Sequence, residues 1–201
     1  MREITVFNSV TLDGVTQAPG RPDEDTRGGF ANGGWAAPYM DEVMGRVAAE
    51  GMAGPGALLL GRRTYEDFHG FWPHQTDNPF TEVLDNTRKY VASRTLREPL
   101  GWRNSTLLEG DAAEAVARLK EQPGEDLTVL GSGELVQSLR RRDLVDRYVL
   151  LIHPLVLGSG RRLFPDGGPA STLRLVGSVP TTTGVIIATY QPVASREGAA
   201  R

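Results

Sequence analysis

The spacing of apolar residues changes several times along the chain, and each change marks an element. Ile4 to Thr11 (ITVFNSVT) is rich in β-branched residues and predicts a first strand, closed by a turn at Leu12-Asp13-Gly14. From Thr16 to Gly34 the pattern gives way to Pro, Gly and Asp, a loop of a length that in a compact domain is functional or mobile. Pro38 is placed to open a helix. In it Met40, Val43, Met44, Val47 and Ala48 recur at helical spacing, while Asp41, Glu42, Arg46 and Glu50 fill the other face. After Gly54-Pro55-Gly56, Ala57 to Leu60 reads as a buried strand running into Gly61-Arg62-Arg63-Thr64, with Tyr65 to Phe68 beginning a short helix. Phe71-Trp72-Pro73 is an aromatic loop. Lys89 to Ser93 predicts a third strand, ending at Ser93-Arg94, and Ser105 to Leu108 a short fourth. Asp111 to Glu121 is an amphipathic helix with Asp111 as its N-cap and Ala115, Val116 and Leu119 inward.

Leu127 to Leu130 is a short apolar run, the form a central strand takes. Gly131-Ser132-Gly133 follows at once, and Glu134 to Arg141 carries Leu135, Val136 and Leu139 at helical spacing. Arg147 to His153 is a further strand, and Leu173 to Val179 with Gly184 to Gln191 form a terminal hairpin around Pro180 to Thr183. Strands alternating with helices predict an α/β fold with a mostly parallel sheet, made mixed by the hairpin. Without repeat or linker, residues 1–193 read as one domain, and 194–201 as a frayed tail.

Composition narrows the function. A chain of 201 residues buries roughly 70% of its unfolded surface, and 39% apolar with 23% charged residues is an ordinary globular balance. A net charge of −3 leaves no electrostatic footprint for nucleic acid or an anionic membrane. No apolar run approaches the roughly 20 residues of a membrane helix. The absence of cysteine excludes disulfides, thiolate metal sites and a cysteine nucleophile, and is compatible with a cytoplasmic setting. His69, His74 and His153 are too scattered to suggest a metal site.

Three predicted strand ends carry related chemistry. In α/β sheets, ligands bind beyond the carboxyl ends of strands. Arg62 and Thr64, after Gly61, suit a pyrophosphate at a helix start. Ser93 and Arg94 suit an isolated phosphate such as the 2′-phosphate of NADPH, and Gly131 to Gly133 permits close backbone approach. Each feature also has a plain reading, an exposed arginine as a solvated charge and Gly-X-Gly as a tight strand-to-helix turn.

Taken in order, these segments resemble the C-terminal reductase domain of the bifunctional riboflavin-biosynthesis deaminase/reductase, within the dihydrofolate-reductase-like superfamily. The resemblance rests on Thr11-Leu12-Asp13-Gly14, Leu60-Gly61-Arg62-Arg63-Thr64-Tyr65 and Val91-Ala92-Ser93-Arg94. It rests most on Gly131-Ser132-Gly133 with Leu144-Val145-Asp146, Pro154 and Leu157-Gly158-Ser159-Gly160, and it spans roughly residues 2 to 191. Gly33-Gly34-Trp35 resembles the stand-alone members. It implies a three-layer fold and an NADPH-dependent reductase passing hydride to a small heterocyclic substrate, as in 5-amino-6-(5-phosphoribosylamino)uracil reductase.

By position, Gly61, Arg62 and Thr64 would hold the pyrophosphate, Ser93 and Arg94 the 2′-phosphate, and Gly131, Ser132, Gly133, Glu134 and Leu135 would line the cofactor. The family's glycine pair, often joined by a cis peptide, reads Gly131-Ser132 here, and a cis bond before serine would cost about 3–4 kcal/mol. Thr11 and Asp13 would sit near the nicotinamide or substrate, with Asp13 and Asp41 as rival catalytic acids and Trp35, Phe71 and Trp72 as pocket walls. Each has a plain alternative, Asp13 as a turn residue, Asp41 as surface decoration, the aromatics as core, and Asp146 as a cap or ion-pair partner at a strand start. The zinc motif of the deaminase half is absent, so that step is excluded. The family pattern further implies a homodimer. Dihydrofolate reduction, or nucleotide binding without chemistry, are the rival functions.

Overall fold

A computed structural model describes residues 1–53, 56–76 and 78–193. The predicted breaker Gly54-Pro55 and tail 194–201 lie outside the described residues. In chain order the elements are β1 (Ile4–Thr11), α1 (Glu42–Ala53), β2 (Gly56–Gly61), α2 (Arg62–Phe71), α3 (Pro79–Asn86), β3 (Lys89–Ala92) and β4 (Ser105–Leu108). Then follow α4 (Ala112–Glu121), β5 (Asp126–Leu130), α5 (Gly133–Arg140), β6 (Arg147–His153), β7 (Leu173–Pro180) and β8 (Ile186–Pro192). The strands form one sheet in the order β4-β3-β2-β5-β1-β6-β8-β7, parallel from β4 through β6 and antiparallel where β8 joins β6 and β7.

Alternation along the strands sends side chains to two helical layers. Ile4 and Val6 of β1, Ala57 and Leu59 of β2 and Leu127 and Val129 of β5 pack with Val116 and Leu119 of α4 and Leu135, Val136 and Leu139 of α5. On the opposite face Leu58, Leu60 and Val91 pack with Tyr65 of α2 and Leu84 of α3, and Leu151 and Ile187 pack with Met44 of α1. Each of these Val, Leu, Ile and Met side chains contributes about 1.5–3 kcal/mol by burial. The result is the expected three-layer mixed sheet, with β7 at an edge whose residues are all half-buried or exposed.

One predicted helix start moves, and one helix was not predicted. Pro38 lies in a separate 3-10 turn, Ala37–Tyr39, and α1 begins at Glu42 because Asp41 Oδ1 accepts the Met44 N–H at 2.9 Å. Met40 therefore leaves the apolar face and is 57% exposed. The unexpected α3 starts on an Asn-Pro pair, with Asn78 accepting the Phe80 N–H at 3.0 Å and Pro79 in the first turn.

Candidate functional site

β5 returns between β2 and β1 after β3 and β4 have been laid outward, and β6 lies on the far side of β1. Such a reversal of strand order opens a crevice at the carboxyl ends. Here it is a cleft of about 950 Å³, walled by Phe7 to Ser9 in the middle of β1, the ends of β2, β3 and β5, the starts of α2, α4 and α5, and the loop before α1.

The helix starts distinguish this cleft from the rest of the molecule. Among the described residues, side chains close three of the five α-helices, with Asp41, Asn78 and Asp111 accepting from Met44, Phe80 and Glu114. The other two, α2 and α5, both open on the cleft, and neither carries a side-chain cap. Their first-turn N–H groups suit an anion. The two starts are joined, since Thr64 Oγ1 accepts the Ser132 N–H at 3.1 Å and Ser132 Oγ accepts the Gly61 N–H at 3.0 Å. Gly131 and Ser132 take left-handed conformations, φ 56° and 52°, and the bond between them is trans. A Cβ on Gly131 would add strain at this φ and lie 3.3 Å from Thr64 Cγ2, so glycine suits the turn. Asn8, buried on β1, donates to Gly131 O at 3.1 Å and holds the turn from below.

All ten residues predicted to meet a cofactor, Gly61, Arg62, Thr64, Ser93, Arg94, Gly131, Ser132, Gly133, Glu134 and Leu135, line this one cleft. Arg94 is exposed at its rim, on a turn shaped by Ser93 Oγ, which accepts the N–H groups of Thr95 and Leu96 at 3.1 and 3.0 Å. Arg62 pairs with Glu66 one turn along α2. Glu134 Oε1 gathers three arginines from different segments, Arg27 at 3.4 Å, Arg63 at 3.0 Å and Arg161 at 3.2 Å.

The four residues predicted for substrate or acid chemistry lie outside the cleft lining. Thr11 is buried, donates to Asp13 Oδ1 at 2.6 Å and accepts the Val15 N–H at 2.9 Å. Asp13 also accepts from Leu157 N and Gly158 N, and the Thr11 hydroxyl foremost among its hydrogen bonds holds its carboxyl below the usual range. Asp41 accepts from Met44 N and from the N–H and hydroxyl of Thr182, which lowers its pKa to about 2. Both carboxylates are therefore ionised fasteners, one joining the β1 turn to the loop after β6 and one joining α1 to the β7–β8 turn. Trp35 donates to Gln17 O at 2.8 Å and packs with Val15, Ala18 and Phe30, so it is core beneath the loop. Phe71 lies under the Arg21 guanidinium and Trp72 packs on Phe68. Asp146 fastens a strand start, accepting the Ile4 N–H at 2.7 Å and pairing with Lys120.

Other residues that shape the site escape the sequence reading. Gln17, buried, donates to the carbonyls of Asp25 and Arg27 at 3.0 Å each and accepts the Arg161 N–H at 2.9 Å. Arg21 reaches across to Asp67 on α2. These bonds draw residues 16–34 over one flank of the cleft. Asn8 had a legible signal, a polar side chain on the β1 face shared by Ile4 and Val6, whereas Gln17, Arg21 and Arg27 lie in a stretch without periodicity.

The family model of the RibD C-terminal domain matches residues 2–187. The chain belongs to this family. Its relatives include the uncharacterized protein YyaP of Bacillus subtilis (strain 168), 31% identical over 138 residues, which are 66% of this chain and 72% of YyaP. A candidate riboflavin biosynthesis protein from Shewanella sp. PV-4 has the same fold, with a TM-score of 0.67 at 22% identity over 95% of this chain and 99% of that one. A diaminohydroxyphosphoribosylaminopyrimidine deaminase/5-amino-6-(5-phosphoribosylamino)uracil reductase from Thermotoga maritima aligns with a TM-score of 0.62 at 13% identity. That alignment covers 96% of this RibD C-terminal domain chain and 57% of the Thermotoga protein.

Proposed function

We propose that this RibD C-terminal domain is an NADPH-dependent reductase that delivers hydride to a small heterocycle of the 5-amino-6-(5-phosphoribosylamino)uracil type. The observation that carries the reading is the pair of uncapped helix starts, α2 and α5, opening on one cleft with Arg94 at its rim. The residues present fit a dinucleotide phosphate. Gly61, Arg62 and Thr64 with Gly131 to Leu135 would hold the pyrophosphate, and Ser93 and Arg94 the 2′-phosphate. A reduced nicotinamide, when bound, supplies the hydride. The chain's own part is to orient it, with Thr64, Ser132 and Asn8 fixing the two helix starts and Gln17 and Arg21 holding the loop over the flank.

No helix among the described residues is long and apolar enough to cross a membrane, and the reading places the enzyme in the cytoplasm, where reduced dinucleotide is available. It also places a second copy of the chain against β7, an edge strand uncovered on both faces, since such a strand can pair with its own symmetry copy.

A thermal-shift titration with NADPH and NADH in parallel tests the cofactor. Ligand at 100 times its dissociation constant adds about 2.7 kcal/mol, about 5–11 °C in a domain of this size. NADPH is expected to act at lower concentration than NADH. No shift with either overturns the reading.

A further inference from the structure

Three guanidiniums on one carboxylate oxygen are more cation than that carboxylate can match, and the cleft holds such a group. Glu134 Oε1, on the first turn of α5, faces Arg27 of the loop before α1 at 3.4 Å, Arg63 of the first turn of α2 at 3.0 Å and Arg161 of the loop after β6 at 3.2 Å. All four side chains line the cleft. Their exposure runs from 33% for Arg27 to 63% for Glu134, so a ligand in the cleft can reach every one of them.

The backbones behind these arginines are fixed. One buried amide ties the two loops together: Gln17 donates to the carbonyls of Asp25 and Arg27 and accepts the Arg161 N–H, while the Thr16 N–H donates to Arg161 O at 2.9 Å. Arg63 stands on α2, whose start is joined to that of α5 through Thr64 and Ser132. Asp25 also pairs with Arg27, but among the described residues Arg63 and Arg161 have no carboxylate other than Glu134 within ion-pair distance. Three cations therefore face two carboxylates, beside two uncapped helix starts whose dipoles add positive potential. Ion pairs this exposed contribute little to stability. Their effect is to gather positive charge from three segments at one point of the cleft.

Resting on the reductase reading of the cleft, we propose that Arg27, Arg63 and Arg161 form a clamp for the diphosphate bridge of the dinucleotide, and that the Glu134 carboxylate is an internal stand-in which the ligand displaces. A diphosphate bridge carries a negative charge on each phosphorus and offers free oxygens to several donors at once, the pattern that guanidiniums bind best. It matches three cations where one carboxylate does not. The Glu134 side chain is the mobile member of the group, free to turn into solvent while its backbone stays in the start of α5. Without ligand, Glu134 keeps the arginines together against their mutual repulsion, so the cleft is shaped before the dinucleotide arrives. A ligand without the diphosphate leaves Glu134 in place. Gln17 is a positioning residue, aiming Arg27 and Arg161 from one base.

Titration calorimetry tests this with NADPH, with ADP, which carries the diphosphate, and with adenosine as the control that lacks it. Glu134→Gln keeps the size of the side chain and removes its charge. It should tighten NADPH and ADP by about 3–5-fold, the scale of exposed ion pairs that the ligand no longer has to break. Arg27→Gln, Arg63→Gln and Arg161→Gln should each weaken both by about 10-fold or more and leave adenosine unchanged. Melting of the four unliganded variants should stay close to the wild type, because the pairs are exposed. Weaker binding by Glu134→Gln overturns the stand-in, since a glutamate that merely braces the site or holds the ligand acts in that direction. NADPH binding that is insensitive to all four substitutions overturns the clamp and leaves the reductase reading standing. ADP binding with the expected pattern, in a wild type that does not bind NADPH, overturns the reductase reading and supports the diphosphate clamp. No binding of either overturns both. Ribose 5-phosphate binding to NADPH-saturated protein that the arginine variants abolish, with NADPH affinity unchanged, assigns the cations to a phosphate on the substrate and overturns the diphosphate assignment.

Discussion

Lowering the pH should loosen the loop beside the cleft through one buried imidazole. His153 closes β6 with no exposed surface, its Nδ1 2.9 Å from Leu151 O and its Nε2 buried without a partner. The rings of Trp35 and Tyr39 stand edge-on to it, with centroids 5.0 and 5.4 Å away, and Trp35 anchors the loop through Gln17 O. Burial pushes the imidazole below its usual pKa, its backbone hydrogen bonds oppose that, and no charged side chain contributes. The unfolded chain therefore binds the proton first. Stability from this group is complete above about pH 6.5, the unfolded value, and is lost as pH falls through the lower folded value. One proton gives a slope of at most about 1.4 kcal/mol per pH unit, and in a domain of this size 1 kcal/mol moves Tm by about 2–4 °C. The assay is thermal melting from pH 8 to 5 for wild type and His153→Phe, which keeps an aromatic ring between Trp35 and Tyr39. The raised carboxyls Glu24 and Asp67 act with the opposite sign, losing their contribution as pH rises through their folded values, and they cancel in the difference between the two proteins. That difference should shrink steadily below pH 6.5. Parallel curves over the whole range would refute this account of His153.

Further outcomes concern the cleft and its supports. Arg94→Ala should weaken NADPH about 10-fold or more while leaving NADH unchanged, because a charge-assisted hydrogen bond to phosphate is worth about 1.5–3 kcal/mol; titration of cofactor fluorescence checks it, and equal losses for both cofactors would place the 2′-phosphate elsewhere. Thr64→Val, near-isosteric, removes the acceptor of the Ser132 N–H and should cost about 1–3 kcal/mol in urea unfolding while weakening NADPH as well. Trp35→Ala should destabilise by about 3–5 kcal/mol as a buried aromatic does, without changing which cofactor is preferred. Asp41→Asn should lower Tm and leave NADPH binding intact, since Asp41 fastens α1 to Thr182 away from the cleft.

Much of this architecture was determined locally. β2 announces itself because a strand buried on both faces is apolar along its length, β1 by its β-branched residues, and α4 because Asp111 caps a repeating apolar stripe. The cofactor-suited residues were legible because they belong to short turns, Gly61 to Thr64, Ser93-Arg94 and Gly131 to Gly133, whose chemistry depends on adjacent residues. Tertiary structure decided the rest. Asp13 and Asp41 have the composition of catalytic acids, but the neighbouring Thr11 hydroxyl and Met44 N–H, reinforced across chain crossings by donors from Leu157, Gly158 and Thr182, hold them ionised. Asp67 is an ordinary polar position on α2 until Arg21, 46 residues away, and burial by the loop set its environment. Local pattern reports which face of an element is apolar. The protonation of a carboxyl depends on which distant groups the fold brings against it, and neither composition nor periodicity carries that information.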